Sequence, residues 1–163
     1  PAAPVSIASA QGVDLSPLSA LDPSHRERLL SFTWADQPGR SKRLEAALKI
    51  AVSHPPKVHC GDARLWLAQR LAERQPEGVC RAVVHTMFIQ YLSDRERQEV
   101  AKMMSAAGAG ATAERPLVEI GLEWTPDRSE VQLRCTRWPD GDTLILATCH
   151  PYGDWIEWRG LPE

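Results

Sequence analysis

His85 is the residue best placed in this sequence to do chemistry. It follows the apolar run Ala82-Val83-Val84 and precedes Thr86, so it stands where an extended segment ends. An imidazole there has a near-neutral pKa and can take a proton as a general base. It can equally line a ligand pocket or hydrogen-bond within the core, and pocket lining is the favoured reading of the three. Shortly after it, Gln90 and Tyr91 offer an amide and a phenol to orient a substrate. Tyr91 joins His85 as a catalytic candidate, although a tyrosine more often packs on a sheet with its hydroxyl at the rim. Arg40 can clamp a carboxylate or phosphate through two parallel N–H bonds. The plainer alternative is a helix-stop turn with an Asp36–Arg40 surface pair, which contributes little. His150, beside Tyr152 and Trp155, is a further substrate-binding candidate, placed at a pocket mouth or a dimer face.

Two carboxylates stand where extended segments end. Asp14 precedes Leu15-Ser16-Pro17 and reads locally as a turn or cap residue. Asp62, after Gly61, is a good N-cap for the helix that begins at Ala63, a role worth about 1 kcal/mol. The four cysteines, Cys60, Cys80, Cys135 and Cys149, are scattered and form no C-x-x-C pair. Their spacing together with His59 and His150 matches no zinc finger or ribbon. No metal site is expected, and the cysteines read as buried reduced thiols in or beside strands.

The elements that must position these groups follow from periodicity. An unbroken run rich in β-branched residues, as at 82–84, reads as a strand covered on both faces. In open α/β sheets ligands bind just past the carboxyl ends of such strands. Before it, the pattern predicts a strand from about Val5 to Val13, a helix capped at Asp22-Pro23-Ser24 and a second helix from about Arg40 to Ser53. A short strand at 57–60 and a helix from Ala63 to Glu73 follow. After it, Ser93-Asp94-Arg95-Glu96 has the spacing of a capping box, and Val100, Met103 and Met104 mark the inner face of its helix. The small residues of 106–113 read as a flexible loop. From Pro116 the character changes to strands at 117–124 and 130–138, the second alternating with one wet face. A hairpin turn at Pro139-Asp140-Gly141-Asp142 leads to a return strand at 143–148, and 154–158 adds one more.

At 163 residues, 43% hydrophobic and 25% charged, the chain reads as a single globular domain, residues 1–163. A net charge of -2 with interspersed signs argues against a nucleic-acid or acidic-membrane surface. Pro1-Ala2-Ala3-Pro4 lacks the features of a signal peptide, and no apolar stretch is long enough to span a bilayer. A cytoplasmic location is expected. Helices alternating with strands, closed by antiparallel strands, predict an α/β, Rossmann-like fold. Its sheet would be mostly parallel, with helices on both faces and a C-terminal antiparallel hairpin at the edge.

The order of segments resembles the later part of a class I S-adenosylmethionine-dependent methyltransferase. The resemblance lies at Gly12-Val13-Asp14-Leu15-Ser16-Pro17, at Val58-His59-Cys60-Gly61-Asp62-Ala63, and from Ala82 through Leu92 into Ser93-Asp94-Arg95-Glu96-Arg97. It implies that Asp14 holds the cofactor ribose and that Asp62 with Ala63 approaches the adenine, His85 lining the same pocket. A closer resemblance is to a bacterial family, domain of unknown function 2332. It is carried by Trp34-Ala35-Asp36-Gln37-Pro38-Gly39-Arg40, Asp62-Ala63-Arg64-Leu65-Trp66-Leu67, Val84-His85-Thr86, Gln90-Tyr91-Leu92 and His150-Pro151-Tyr152-Gly153-Asp154-Trp155. The sequence departs from that family's pattern at Ser16, Ser19, Thr86 and Tyr152. Family members carry a further N-terminal strand with a glycine-containing turn, which implies that these residues are the C-terminal portion of a longer protein.

Two functions from different classes are therefore expected. The first is a methyltransferase-like protein that binds S-adenosylmethionine or a related nucleotide when full length, with Gln90, Arg40 and His150 facing an unknown small-molecule substrate. The second is a non-catalytic binding or assembly module that retains the fold. Its working surface would be the Trp-rich terminal strands (Trp124, Trp138, Trp155, Trp158), in a homodimer.

Overall fold

The computed structural model describes residues 4–160. The chain divides between Gln69 and Arg70 into two compact units, which are described separately.

The N-terminal unit holds β1 (Gly12–Asp14), α1 (Pro23–Ser31), α2 (Pro38–Ser53), β2 (Val58–Cys60) and the start of α3 (Ala63–Ala72). β1 and β2 form a parallel two-stranded sheet, with Asp14 opposite Cys60. The strand expected from Val5 is present only from Gly12; residues 4–11 have no regular structure. Asp22 caps α1 by accepting from the Ser24 and His25 amides, and Pro23 occupies the first turn, where its missing N–H costs nothing.

The C-terminal unit is built on a five-stranded sheet ordered β3-β4-β5-β6-β7. Its strands are β3 (Arg81–Thr86), β4 (Leu117–Trp124), β5 (Val131–Trp138), β6 (Asp142–Cys149) and β7 (Ile156–Trp158). β3 and β4 are parallel because α4 (Asp94–Ala109) carries the chain back between them. From β4 onward the connections are short turns, so each later pair is antiparallel. Gly141, at φ 79°, supplies the left-handed position in the β5–β6 turn.

These topologies correct the expected fold class. The protein is α/β, but it contains a two-stranded parallel sheet and a five-stranded mixed sheet, not one mostly parallel Rossmann-like sheet. β3 is an edge strand of the five-stranded sheet. Its burial alternates, which overturns its expected coverage on both faces. Arg81, Val83 and His85 are half-buried, while Ala82, Val84 and Thr86 are exposed, Val84 to 63%. The hairpin β5–β6 lies inside the sheet and β7 forms the far edge. Cys60 and Cys80 are exposed, against the expectation of buried thiols, and all four cysteines are free.

Side-chain alternation gives the five-stranded sheet two distinct faces. One packs Val131, Ala147 and Cys149 with Met87, Leu122, Trp124 and Leu133. The other carries His85, Glu119, Gly121, Glu123, Gln132, Arg134, Thr136 and Thr143, and α4 packs against it. α4 begins with the capping box read from the sequence: Ser93 accepts from the Glu96 amide and the Glu96 carboxylate accepts from the Ser93 amide. It runs to Ala109, so the small residues 106–109 are helical, not loop. Gly108 is the reason it can. A Cβ there would lie 2.2 Å from the Trp138 indole, which crosses the helix where glycine leaves room.

Gly108→Ala should therefore displace Trp138 or α4 and cost roughly 1–3 kcal/mol in urea unfolding, an overpacking penalty. An unchanged midpoint would show that Trp138 does not fix the helix.

Candidate functional site

β4 places Glu119, Gly121 and Glu123 on one face, two residues apart. In the parallel register Gly121 lies opposite His85. The imidazole crosses the glycine so closely that a Cβ at 121 would be 2.7 Å from its Cε1 atom and 3.0 Å from Nε2. A side chain of any size would expel the ring. With glycine there, the ring lies between two carboxylates. Its Nδ1 is 2.8 Å from Glu123 Oε1, and its Nε2 is 3.4 Å from Glu119 Oε1.

Glu123 is 8% exposed, an unusual burial for a carboxylate, and its partners explain it. Oε1 accepts from His85 and from the amides of Phe88 (2.8 Å) and Ile89 (3.2 Å). Those amides open the single 3₁₀ turn Ile89–Tyr91. They face Glu123 because the chain turns at Met87, which takes a left-handed φ of 51°. That conformation is uncommon for a residue with a Cβ and is held here by the surrounding contacts. One of these is the Met87 amide's bond to the Leu122 carbonyl at 2.9 Å.

The electrostatics follow from the arrangement. Burial of the His85 ring opposes its charge, but Glu119 and Glu123 together outweigh that, and its pKa rises to about 9. Burial pushes the Glu123 carboxyl up, while the His85 bond and the two amides pull it down further, leaving it below the ordinary value. At neutral pH the triad is an imidazolium between two carboxylates. With both ring nitrogens facing acceptors and the proton retained, His85 has no free lone pair with which to act as a general base. It pairs with both carboxylates and leaves the triad with a single net negative charge.

Beside the triad an open groove of about 400 Å³ runs between α4 and the sheet. His85 and Glu119 line it from β3 and β4, Thr136 and Trp138 from β5, and Thr143 from β6. Arg97, Val100, Met104 and Ser105 line it from α4. Arg97 is already engaged, donating to the Ile89 carbonyl and pairing with Asp94 at 2.7 Å.

The other sequence-selected residues are placed elsewhere. In the N-terminal unit, Asp14 and Asp62 follow the carboxyl ends of the paired strands β1 and β2, and the Gly61 amide donates to the Asp14 carbonyl. Asp14 accepts from the Ser16 amide at 2.7 Å. Asp62 accepts from the Arg64 and Leu65 amides and pairs with the Arg64 guanidinium at 2.9 Å. That guanidinium, offset in part by burial, lowers the Asp62 pKa. Ala63 is the first residue of α3. Arg40 bonds the Gln37 side chain at 3.1 Å in the first turn of α2. In the C-terminal unit, Gln90 donates to the Met87 carbonyl and accepts from Arg128. Tyr91 is 81% exposed. His150 lies in the turn after β6, 3.3 Å from Asp154, with its ring near Tyr152 and Trp155. Gln90, Tyr91 and His150 are thus not among the groove's lining residues. Among the described residues no cluster of three or more His, Cys, Asp or Glu could hold a metal.

Glu119, Gly121 and Glu123 were missed by sequence reasoning. The signal was present: two carboxylates flanking a glycine at period two, within a strand otherwise rich in Leu, Val and Ile.

Because the pKa of His85 is higher folded than unfolded, its contribution to stability is complete below about pH 6.5. It is lost as pH rises toward about 9. Unfolding free energy should fall by roughly 1–3 kcal/mol across that window. His85→Gln should lose that slope in urea titrations run at each pH; a slope retained in the variant would contradict the assignment.

The chain matches, over residues 1–158, the model of a family described as an uncharacterized protein conserved in bacteria (DUF2332), and it belongs to that family. No curated protein and no solved structure is significantly similar to it.

Proposed function

We propose that this member of the DUF2332 family is a small-molecule-binding protein whose ligand occupies the groove between α4 and the five-stranded sheet. The observation that carries this reading is the Glu119–His85–Glu123 triad at the groove's floor. A half-buried ion network costs desolvation energy that well-packed apolar side chains would not. Here the cost goes into fixing one carboxylate, Glu119, at the surface of a concave site. Ligand sites commonly combine an apolar wall with a few convergent polar groups, and this groove sets Val100, Met104 and Trp138 against Glu119, Thr136, Thr143 and Ser105.

A second reading is favoured by a separate observation. Asp14 and Asp62 follow the carboxyl ends of two adjacent parallel strands, where α/β proteins bind nucleotides. Both carboxylates are partly used by local caps, but each retains acceptor capacity. In that reading the N-terminal unit contributes to an S-adenosylmethionine site with Ala63 beside it, and the protein is a methyltransferase. The Trp-rich terminal strands, with Trp155 and Trp158 half-exposed, would serve assembly into a homodimer in either case.

Amide-resolved NMR separates the two. A panel of neutral, cationic and anionic small metabolites should contain members that shift the amides of Glu119, Thr136 and Ser105. Ala101→Trp, at an exposed position lining the groove on α4, should abolish those shifts. S-Adenosylmethionine shifting the amides around Asp14 and Gly61 instead would favour the methyltransferase. A panel that leaves the groove amides unmoved would sink the first reading.

A further inference from the structure

We infer that the groove's ligand is a polyhydroxylated molecule, a sugar or polyol presenting vicinal hydroxyls to Glu119, Thr136 and Thr143. This deepens the groove-binding reading and rests on it. The three residues form one row across three adjacent strands: Glu119 pairs with Thr136, and Thr136 with Thr143. Neighbouring strands lie about 4.8 Å apart, so the row offers polar groups at a regular interval along the groove floor.

Each group has capacity left for a ligand. Glu119 Oε1 faces His85 Nε2. An ionised carboxylate has about four acceptor positions, so Glu119 can accept from two further hydroxyls. The Thr136 and Thr143 hydroxyls are 2.8 Å apart and share one hydrogen bond. Between them that bond uses one of two protons, which leaves one O–H to donate and lone pairs to accept. A hydroxyl is both donor and acceptor, so a chain of ligand hydroxyls satisfies this row, where a carbonyl or an amine satisfies only part of it. The C–H face of a ring would rest on Trp138, which is part-exposed in the groove.

Charge narrows the class further. One imidazolium between two carboxylates leaves the floor with a single net negative charge, which disfavours an anion. Arg97, the cation among the groove's lining residues, is paired with Asp94, so an anionic ligand finds no waiting partner.

The test is amide-resolved NMR titration of the intact chain with D-ribose, myo-inositol and, as a cationic control, putrescine. Ribose or inositol should shift the Glu119, Thr136 and Thr143 amides. The isosteric double variant Thr136→Val with Thr143→Val should weaken that binding by about tenfold or more, as expected for lost hydrogen bonds, while the remaining spectrum shows the fold intact. Glu119→Gln should weaken it as well. Putrescine binding at these residues without a polyol response would overturn the polyol assignment and leave the groove reading standing. Polyol shifts undiminished in the double variant would also overturn it. No response at the groove from any of the three, nor from the wider metabolite panel, would overturn both.

Discussion

The C-terminal unit is organised around one imidazolium held between two carboxylates of a single strand. That arrangement makes simultaneous demands on several distant positions. Residue 121 must be glycine, because His85 occupies the space its Cβ would need. β3 and β4 must pair in parallel and in this register, or the ring would meet a different row. The chain after β3 must turn sharply at Met87 so that two amides reach Glu123. Removing His85 would leave Glu123 buried with two amides alone to compensate it, and breaking comparable buried pairs costs about 3–5 kcal/mol.

The groove depends on the same interaction and on the packing of α4. The helix starts at a defined place because Ser93 and Glu96 satisfy its first amides reciprocally. It holds its place over the sheet where Gly108 admits the Trp138 indole. Val100 and Met104 face inward between these two anchors and are buried. The result is an apolar wall against a polar floor, and the floor's acidity is tempered by the histidine beneath it. Hydroxyl-bearing ligands suit such a floor, and its remaining negative charge disfavours anions.

Local signals in the sequence carried much of this. The capping box at Ser93 reads correctly because it needs four residues and no tertiary context. The hairpin at 139–142 and the strand ending at His85 are equally local. What could not be read was how the strands associate. The run Ala82-Val83-Val84 has the composition of a doubly covered strand, yet Val84 is exposed because only the face of β3 that carries Val83 and His85 is covered. Composition reports what a strand tolerates, not who its neighbours are. His85 is legible as a functional group, with pocket lining favoured over a base. Its state is set by Glu119 and Glu123, more than thirty residues away, on a strand that the sequence does not tie to it. Asp14 and Asp62 were legible as caps for the same reason the capping box was. Nothing in the sequence told whether they share a sheet with His85, and they do not.

The most direct measurement is the titration of the His85 imidazole by proton NMR in the wild-type chain and in Glu123→Gln. The triad predicts a midpoint near 9 in the wild type, as against 6.5 for an unperturbed histidine, and a lower one in the variant. A wild-type midpoint at or below 6.5 would mean that the ring is neutral between the two carboxylates. The account of Glu119 as an anchor held by a charged histidine would then fail.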